Sequence, residues 1–365
     1  MAVLSYLTTT HFDFGAVHLL AKELERMGVR RPLIATDKGV RPAGLLEVVL
    51  DTLKEGRDLP VFDGTPPNPT EEATLAAFDH YREAGCDGVI GLGGGSSMDL
   101  GKAVALLAGS GGPLERYDPL AGGARHIGRV APIVAIPTTS GTGSEVSVGF
   151  VIVMNDGRKL TFASPKMIPR VAICDPELTL GLPPLLTAAT GMDAVTHCIE
   201  AILSPVVNPP AEGVGYDGLR RAWRHIEAAV RDGADRDARW RMMMASTEGA
   251  MAFVKGLGAV HAMSHAAGRL PGLKLHHGTL NAVILPTILR FNQGTSSEKY
   301  ERMAEAMGLS TATDLADAVS ARNRALGLPG GLAALGVTER MIAELGPQAV
   351  AELSTRTIPR PADAA

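Results

Sequence analysis

The sequence predicts a two-domain protein in which a parallel α/β domain, residues 1–181, precedes a mainly α-helical domain, residues 182–365. Three observations predict it. A chain of 365 residues exceeds what one hydrophobic core usually supports. Up to Pro183, short apolar strands alternate with helical periodicity, the pattern of a sheet flanked by helices. Beyond Pro183 strand patterns nearly vanish, so the change of composition near Leu182 marks the boundary.

Composition narrows the class of protein. With 45% hydrophobic and 20% charged residues and 42 glycines, the profile is that of a glycine-rich α/β enzyme rather than a disordered or fibrous chain. A net charge of −4 and a pI near 6.2 supply no basic face for nucleic acid or an anionic membrane. Cys86, Cys174 and Cys198 are odd in number, widely spaced and form no CxxC pair, as expected in a reducing compartment. The opening MAVLSYLTTTHFDFG carries no basic leader, and no stretch of eighteen uncharged apolar residues occurs, so the expectation is a cytoplasmic protein.

Taken in order, AVHLLAKELERMG (16–28) has helical periodicity ending at a glycine, and PLIATD (32–37) follows as a strand. A second helix is expected over 43–56. DLPVFDGTPPNPT (58–70) then gives a strand and a proline-rich turn, in which Thr70 suits an N-cap for the helix EEATLAAFDHYREAG. DGVIGLGGGSSMDLGKAVALLAG (87–109) is a buried strand, a turn of three glycines (93–95) and a helix beginning at Ser96 or Ser97. Uncovered N–H groups and the helix dipole at such a junction favour an anion. The order matches neither GxGxxG nor GxxxxGK[ST], so a plain strand-to-helix turn stands as the alternative.

RVAPIVAIPTTSGTGSEVS (129–147) repeats the theme, with hydroxyls and glycines after a buried strand. Two such loops suit the carboxyl edge of a parallel sheet, where ligands of these folds bind; a solvated turn is the alternative for this one. GFVIVMNDGRKLTFAS (149–164) reads as a β-hairpin with NDG at its turn, and IPRVAICDPELTLGLPP (168–184) as a last strand.

In the helical half, GMDAVTHCIEA places Asp193 and His197 four apart, and GAVHAMSHAAG does the same for His261 and His265. His277 stands just ahead of a glycine. Residues four apart share a helix face, so each pair can aim two ligating side chains at one point. Five of the chain's 10 histidines (His197, His261, His265, His276 and His277) fall in this window, and the pattern reads as a metal site with several possible ligand choices. The methionines at 242–244 and 251 read as core packing.

The motifs GGGSSMDLGK, PTTSGTGSE, DPEL, GMDAVTHCIEA and HHGTLNAVILP, in this order, resemble those of the iron-containing (group III) alcohol dehydrogenases, over nearly the whole chain. Within that family, THFDFGAVHLL, KLHHGTLNA and NPPAEG are similar to the 4-hydroxybutyrate dehydrogenases. The resemblance implies a Rossmann-like dinucleotide domain and a helical domain of the dehydroquinate synthase-like fold, with metal and substrate between them, NAD as cofactor and a homodimer or larger assembly. It puts the metal ligands, for Fe(II) or alternatively Zn(II), on Asp193, His197, His261 and His277. His265 matches a non-ligand histidine facing the nicotinamide. Gly94, Gly95, Ser96, Asp99, Thr138, Thr139 and Ser144 match cofactor contacts, as do Lys159 and Leu178, and Asp37 matches a residue meeting the adenosine ribose.

One carboxylate and three imidazoles suit Fe(II), Zn(II), Co(II) or Ni(II), any of which acts as a Lewis acid on an alcohol oxygen. His265 is the candidate proton relay, with a packing histidine as its alternative. A carboxylate at Asp37 disfavours a 2′-phosphate and so favours NAD over NADP, although Lys38 stands beside it. An ω-hydroxy acid such as 4-hydroxybutyrate needs a cation for its carboxylate, and Arg269, Lys274, Arg158 and Lys159 are candidates. The rival readings are a dehydrogenase of short unsubstituted alcohols or diols, with an apolar pocket near Phe150, a lyase of the dehydroquinate synthase type, and a non-catalytic binding protein. The segment between His261 and His277 is slightly longer than in common members, so substrate choice is expected to reside in residues 268–275.

Overall fold

The structure, a computed structural model, describes residues 8–53, 58–270 and 272–363. It divides into two compact units, one of Tyr6–Thr139 with Ser144–Gly181, the other of Leu182–Ala365 with Ser140–Gly143. The chain thus runs from the α/β unit into the helical unit and back within the PTTSGTGSE loop. Among the described residues no helix is long and apolar enough to cross a membrane.

The α/β unit is built on a six-stranded parallel sheet. Its elements are β1 (Thr9–Phe12), α1 (Leu20–Met27), β2 (Pro32–Ala35), α2 (Leu45–Asp51), β3 (Val61–Phe62), α3 (Glu71–Glu83), β4 (Gly88–Gly93), α4 (Gly95–Ser110), β5 (Ile133–Pro137), an antiparallel hairpin of β6 (Gly149–Val153) and β7 (Lys159–Ala163), and β8 (Val171–Cys174). The strand order is β1-β8-β5-β4-β2-β3. From β2 the chain moves outward to β3 and then returns to the other side of β2 as β4, so the order reverses between β2 and β4. In open parallel sheets the crevice at the carboxyl ends of such a pair is where ligands bind.

Sequence patterns account for most of these elements. β2, β4, β5 and β8 are buried at every position, as expected of strands covered on both faces. Thr70 caps α3, its side chain accepting from Ala73 N, and Gly157 with φ 84° turns the hairpin. Two expectations need correction. The first helix does not run through 16–28, because Ala16–Leu19 form a 3-10 turn before α1. The second is shorter than expected, and residues 54–57 of that range lie outside the described residues. β1 had no clear strand pattern; its Thr-Thr-His-Phe segment is an edge strand held by pairing with β8.

The helical unit contains α5 (Pro184–Leu203), α6 (Pro209–Arg231), α7 (Arg236–Ala252), α8 (Ala259–Ala267), α9 (His277–Asn292), α10 (Ser297–Met307), α11 (Leu315–Ala325) and α12 (Glu339–Val350). Helix α5 is the axis of its core and is buried without interruption from Thr187 to Leu203. A helix apolar all round needs neighbours on every side, and α6, α7 and α9 supply them. Glycine sets two of these approaches. A Cβ on Gly191 would lie 2.8 Å from both Ile226 and Met242, and one on Gly278 would lie 2.3 Å from the Ala189 carbonyl oxygen. Gly278 therefore brings the start of α9 against α5 and His277 toward Asp193.

Candidate metal centre

Four side chains from three helices converge in the helical unit. Asp193 and His197 stand one turn apart on α5, His261 lies in the first turn of α8, and His277 is the first residue of α9. Asp193 Oδ1 lies 3.8 Å from His197 Nε2, 3.8 Å from His261 Nε2 and 3.7 Å from His277 Nε2. Donor atoms bound tetrahedrally to one first-row cation at ~2.1 Å are roughly 3.4 Å apart, so the set is close to metal-binding dimensions. Asp193, His197 and His261 also form the group of potential metal ligands whose donor atoms all lie within 4.8 Å of one another.

The far nitrogen of each ring is engaged in a way that frees Nε2. His261 Nδ1 lies 2.6 Å from Glu200 Oε2. That carboxylate accepts further hydrogen bonds from Gly258 N and Val260 N at the start of α8, so it has no hydrogen to give. His197 Nδ1 lies 3.1 Å from the Gly141 carbonyl oxygen, which only accepts. Ser264 donates its hydroxyl to His261 O, leaving Oγ to accept from His277 Nδ1 at 3.4 Å. Each imidazole thus carries its hydrogen on Nδ1 and presents a lone pair on Nε2. Burial pushes His197 down to about 4, against the pull of the Asp193 carboxylate, which keeps that ring neutral. The donor set fits a divalent cation.

Glu200, Asn281 and Ser264 complete this arrangement and were not singled out from the sequence. Glu200 follows His197 by three positions, so it shares the ligand face of α5, and that spacing was the available signal. Asn281, one turn after His277, lies 2.6 Å from Asp193 Oδ1 through its Nδ2.

His265 sits one turn after His261, its ring 5.2 Å from that of His277 and edge-on to His261. Its Nδ1 is 3.5 Å from Glu352 Oε2, and Arg269 pairs with the other oxygen of the same carboxylate. Arg269 is therefore committed to Glu352, which arrives after α12, rather than presented to a substrate. Lys274 is exposed, His276 caps α9, and Pro271 lies outside the described residues.

In the α/β unit, Asp37, Gly94, Gly95, Ser96, Thr138 and Thr139, expected at a cofactor, lie in the segments that follow β2, β4 and β5. Asp37 follows β2; its Oδ1 accepts from Gly39 N and its Oδ2 from Ser97 Oγ at 2.9 Å. Gly94 is the N-cap of α4 and makes no side-chain cap, so the first amides of the helix from Gly95 and Ser96 onward are not covered by a capping side chain. Ser96 Oγ donates to Pro67 O. Thr138 N donates to Gly93 O, which ties the β5 loop, including Thr139, to the glycine turn. Lys159 Nζ lies 3.0 Å from Asn68 Oδ1. Asp99 is braced by Ser144 Oγ and Val151 N, and Leu178 is buried with the sheet core, so both have structural work there. Phe150 requires correction as a pocket residue: it is 1% exposed and stacked on Phe162 at 5.0 Å, because the hairpin turns that face into the core.

Two family models match the chain: iron-containing alcohol dehydrogenase over residues 8–176, and the C-terminal domain of the Fe-containing alcohol dehydrogenase family over residues 187–365. The chain belongs to the iron-containing alcohol dehydrogenase family. It is 53% identical to 4-hydroxybutyrate dehydrogenase of Cupriavidus necator, over 100% of this chain and 97% of that protein. Among solved structures it is similar to 1,3-propanediol oxidoreductase, with TM-score 0.92 and 33% identity, covering 100% and 97% of the two chains. It is also similar to sulfoacetaldehyde reductase from Bifidobacterium kashiwanohense in complex with NAD+, with TM-score 0.87, 27% identity and coverage of 99% and 95%.

Proposed function

We propose that this protein is an NAD-linked, metal-dependent dehydrogenase that interconverts a small ω-hydroxy acid such as 4-hydroxybutyrate with its semialdehyde. The observation that carries the reading is the convergence of three Nε2 lone pairs on Asp193 Oδ1. Asp193, His197, His261 and His277 would hold the cation, Fe(II) or Zn(II), and a cation so held supplies Lewis acidity toward an alcohol or carbonyl oxygen.

The remaining work falls to the chain's own residues. Asp37 and the amides after Gly94 bind and orient the dinucleotide at the β2/β4 reversal. A bound nicotinamide would supply the hydride acceptor, and His265, whose Nδ1 lies 3.5 Å from Glu352 Oε2, would take up the proton of the substrate hydroxyl. The 53% identity to a 4-hydroxybutyrate dehydrogenase supports the ω-hydroxy acid. Assembly as a homodimer belongs to the same proposal, and light scattering of the purified protein tests it.

The substrate test compares kcat/KM with NAD+ for 4-hydroxybutyrate, 1,3-propanediol and ethanol. A tenfold or greater preference for 4-hydroxybutyrate, reduced by Lys274→Ala, is expected. Equal rates with the diol would favour the second reading, a diol dehydrogenase, which the commitment of Arg269 to Glu352 and the likeness to 1,3-propanediol oxidoreductase support.

A further inference from the structure

Asn281 is fully buried, on the turn of α9 that follows His277. Its Nδ2 lies 2.6 Å from Asp193 Oδ1, 3.1 Å from His277 Nε2 and 3.2 Å from His261 Nε2. Its Oδ1 meets no hydrogen-bond partner among the described residues. An amide nitrogen carries two hydrogens and no usable lone pair, so here it gathers three acceptors around one electropositive group. That is the service a cation would render to the same atoms.

An NH2 group and a cation cannot share these lone pairs, because the N–H bonds would point at a positive charge. The amide has a second state of nearly the same shape. Turned over about its Cβ–Cγ bond, it exchanges Nδ2 for Oδ1, which would then crowd a carboxylate oxygen and two imidazole lone pairs. A cation among them makes that state favourable, so the turn is coupled to cation binding.

We propose that Asn281 is a two-state positioning residue of the metal centre: its Nδ2 gathers the donor atoms of Asp193, His261 and His277 in cation-free protein, and the turned amide gives Oδ1 to the cation as a further oxygen ligand. This rests on the metal reading above.

The test strips the full-length protein with a chelator and titrates it with Co(II), reading affinity by competition with a chromophoric chelator and coordination from the visible spectrum. Asn281→Leu, close in size and without polar atoms, lowers Co(II) affinity tenfold or more. Asn281→Asp keeps an oxygen at that point but loses both hydrogens. It binds Co(II) at least as tightly as wild type, while its cation-free form melts at a lower temperature because two carboxylates face each other. A Leu variant within twofold of wild type, or tighter, overturns the proposal, as does an Asp variant as weak as the Leu variant. If the Leu variant does not fold, Asn281→Ser takes its place in the same comparison. A wild-type protein that fails to hold one Co(II) per chain defeats the metal reading and this proposal together, an outcome distinct from equal binding by wild type and variant.

Discussion

Glu200 Oε2 lies 2.6 Å from His261 Nδ1, and the same carboxylate caps the first turn of α8, the helix that carries His261. One side chain thus sets both the position of a ligand helix and the tautomer of its ligand.

Replacement of Glu200 by Gln is therefore expected to weaken metal binding about tenfold to a hundredfold, since the partner that orients an imidazole and raises its basicity is lost. Glu200→Ala also leaves buried N–H groups unpaired and is expected to cost about 3 kcal/mol of stability. Chelator competition and urea unfolding measure the two effects. Unchanged metal affinity in the Gln variant would show that the Glu200 charge is not what prepares His261.

Gly278→Ala places a Cβ 2.3 Å from the Ala189 carbonyl oxygen, a backbone atom that cannot swing aside. Helix α9 must then move away from α5 and take His277 with it. A loss of about 3 kcal/mol is expected, as for severe overpacking, together with reduced metal content. A variant as stable as wild type with full metal occupancy would contradict this account of how His277 is delivered.

Glu248, on α7 beside Asp217 and Arg221, titrates unusually. Burial pushes its carboxyl up to about 8, with Arg221 pulling against the shift and Asp217 adding to it. Folding therefore favours the protonated acid. The associated stability is fully present below the ordinary carboxylate pKa near 4.5 and is lost as pH rises toward 8. Glu248→Gln cannot ionise, so its advantage over wild type should grow with pH to about 2 kcal/mol, less than the full shift because the side chain retains some solvent contact. Melting curves at pH 5 and pH 9 check this, and an equal difference at both would refute the assignment.

Asp37 stands at the end of β2, with Ser97 donating to Oδ2. On the proposed reading, in which the adenosine ribose lies here, this carboxylate repels a 2′-phosphate. Asp37→Asn keeps an acceptor for Gly39 N but removes the charge, and is expected to raise kcat/KM for NADPH relative to NADH by tenfold or more. An unchanged ratio in steady-state assays would place cofactor discrimination elsewhere.

By itself the sequence determined the alternation of strands and helices, the change to a helical half near Leu182, and the candidate ligands. Helix and strand periodicity are local, and so is the spacing of four that puts Asp193 with His197 and His261 with His265 on shared faces. It marked the glycine turn at 93–95 as a candidate anion site for the same reason, whereas Asp37 was tied to the cofactor only through the resemblance to the family. Only the tertiary structure decided which distant groups meet those faces. Glu200 reaches His261 across 61 positions and Asn281 reaches Asp193 across 88, through helix packing that no local pattern encodes. Packing likewise turned Phe150 into the core and tied Arg269 to Glu352. Which way a side chain points, and what charge it meets there, depends on the elements packed against it, and these are assembled from parts of the chain far apart in sequence.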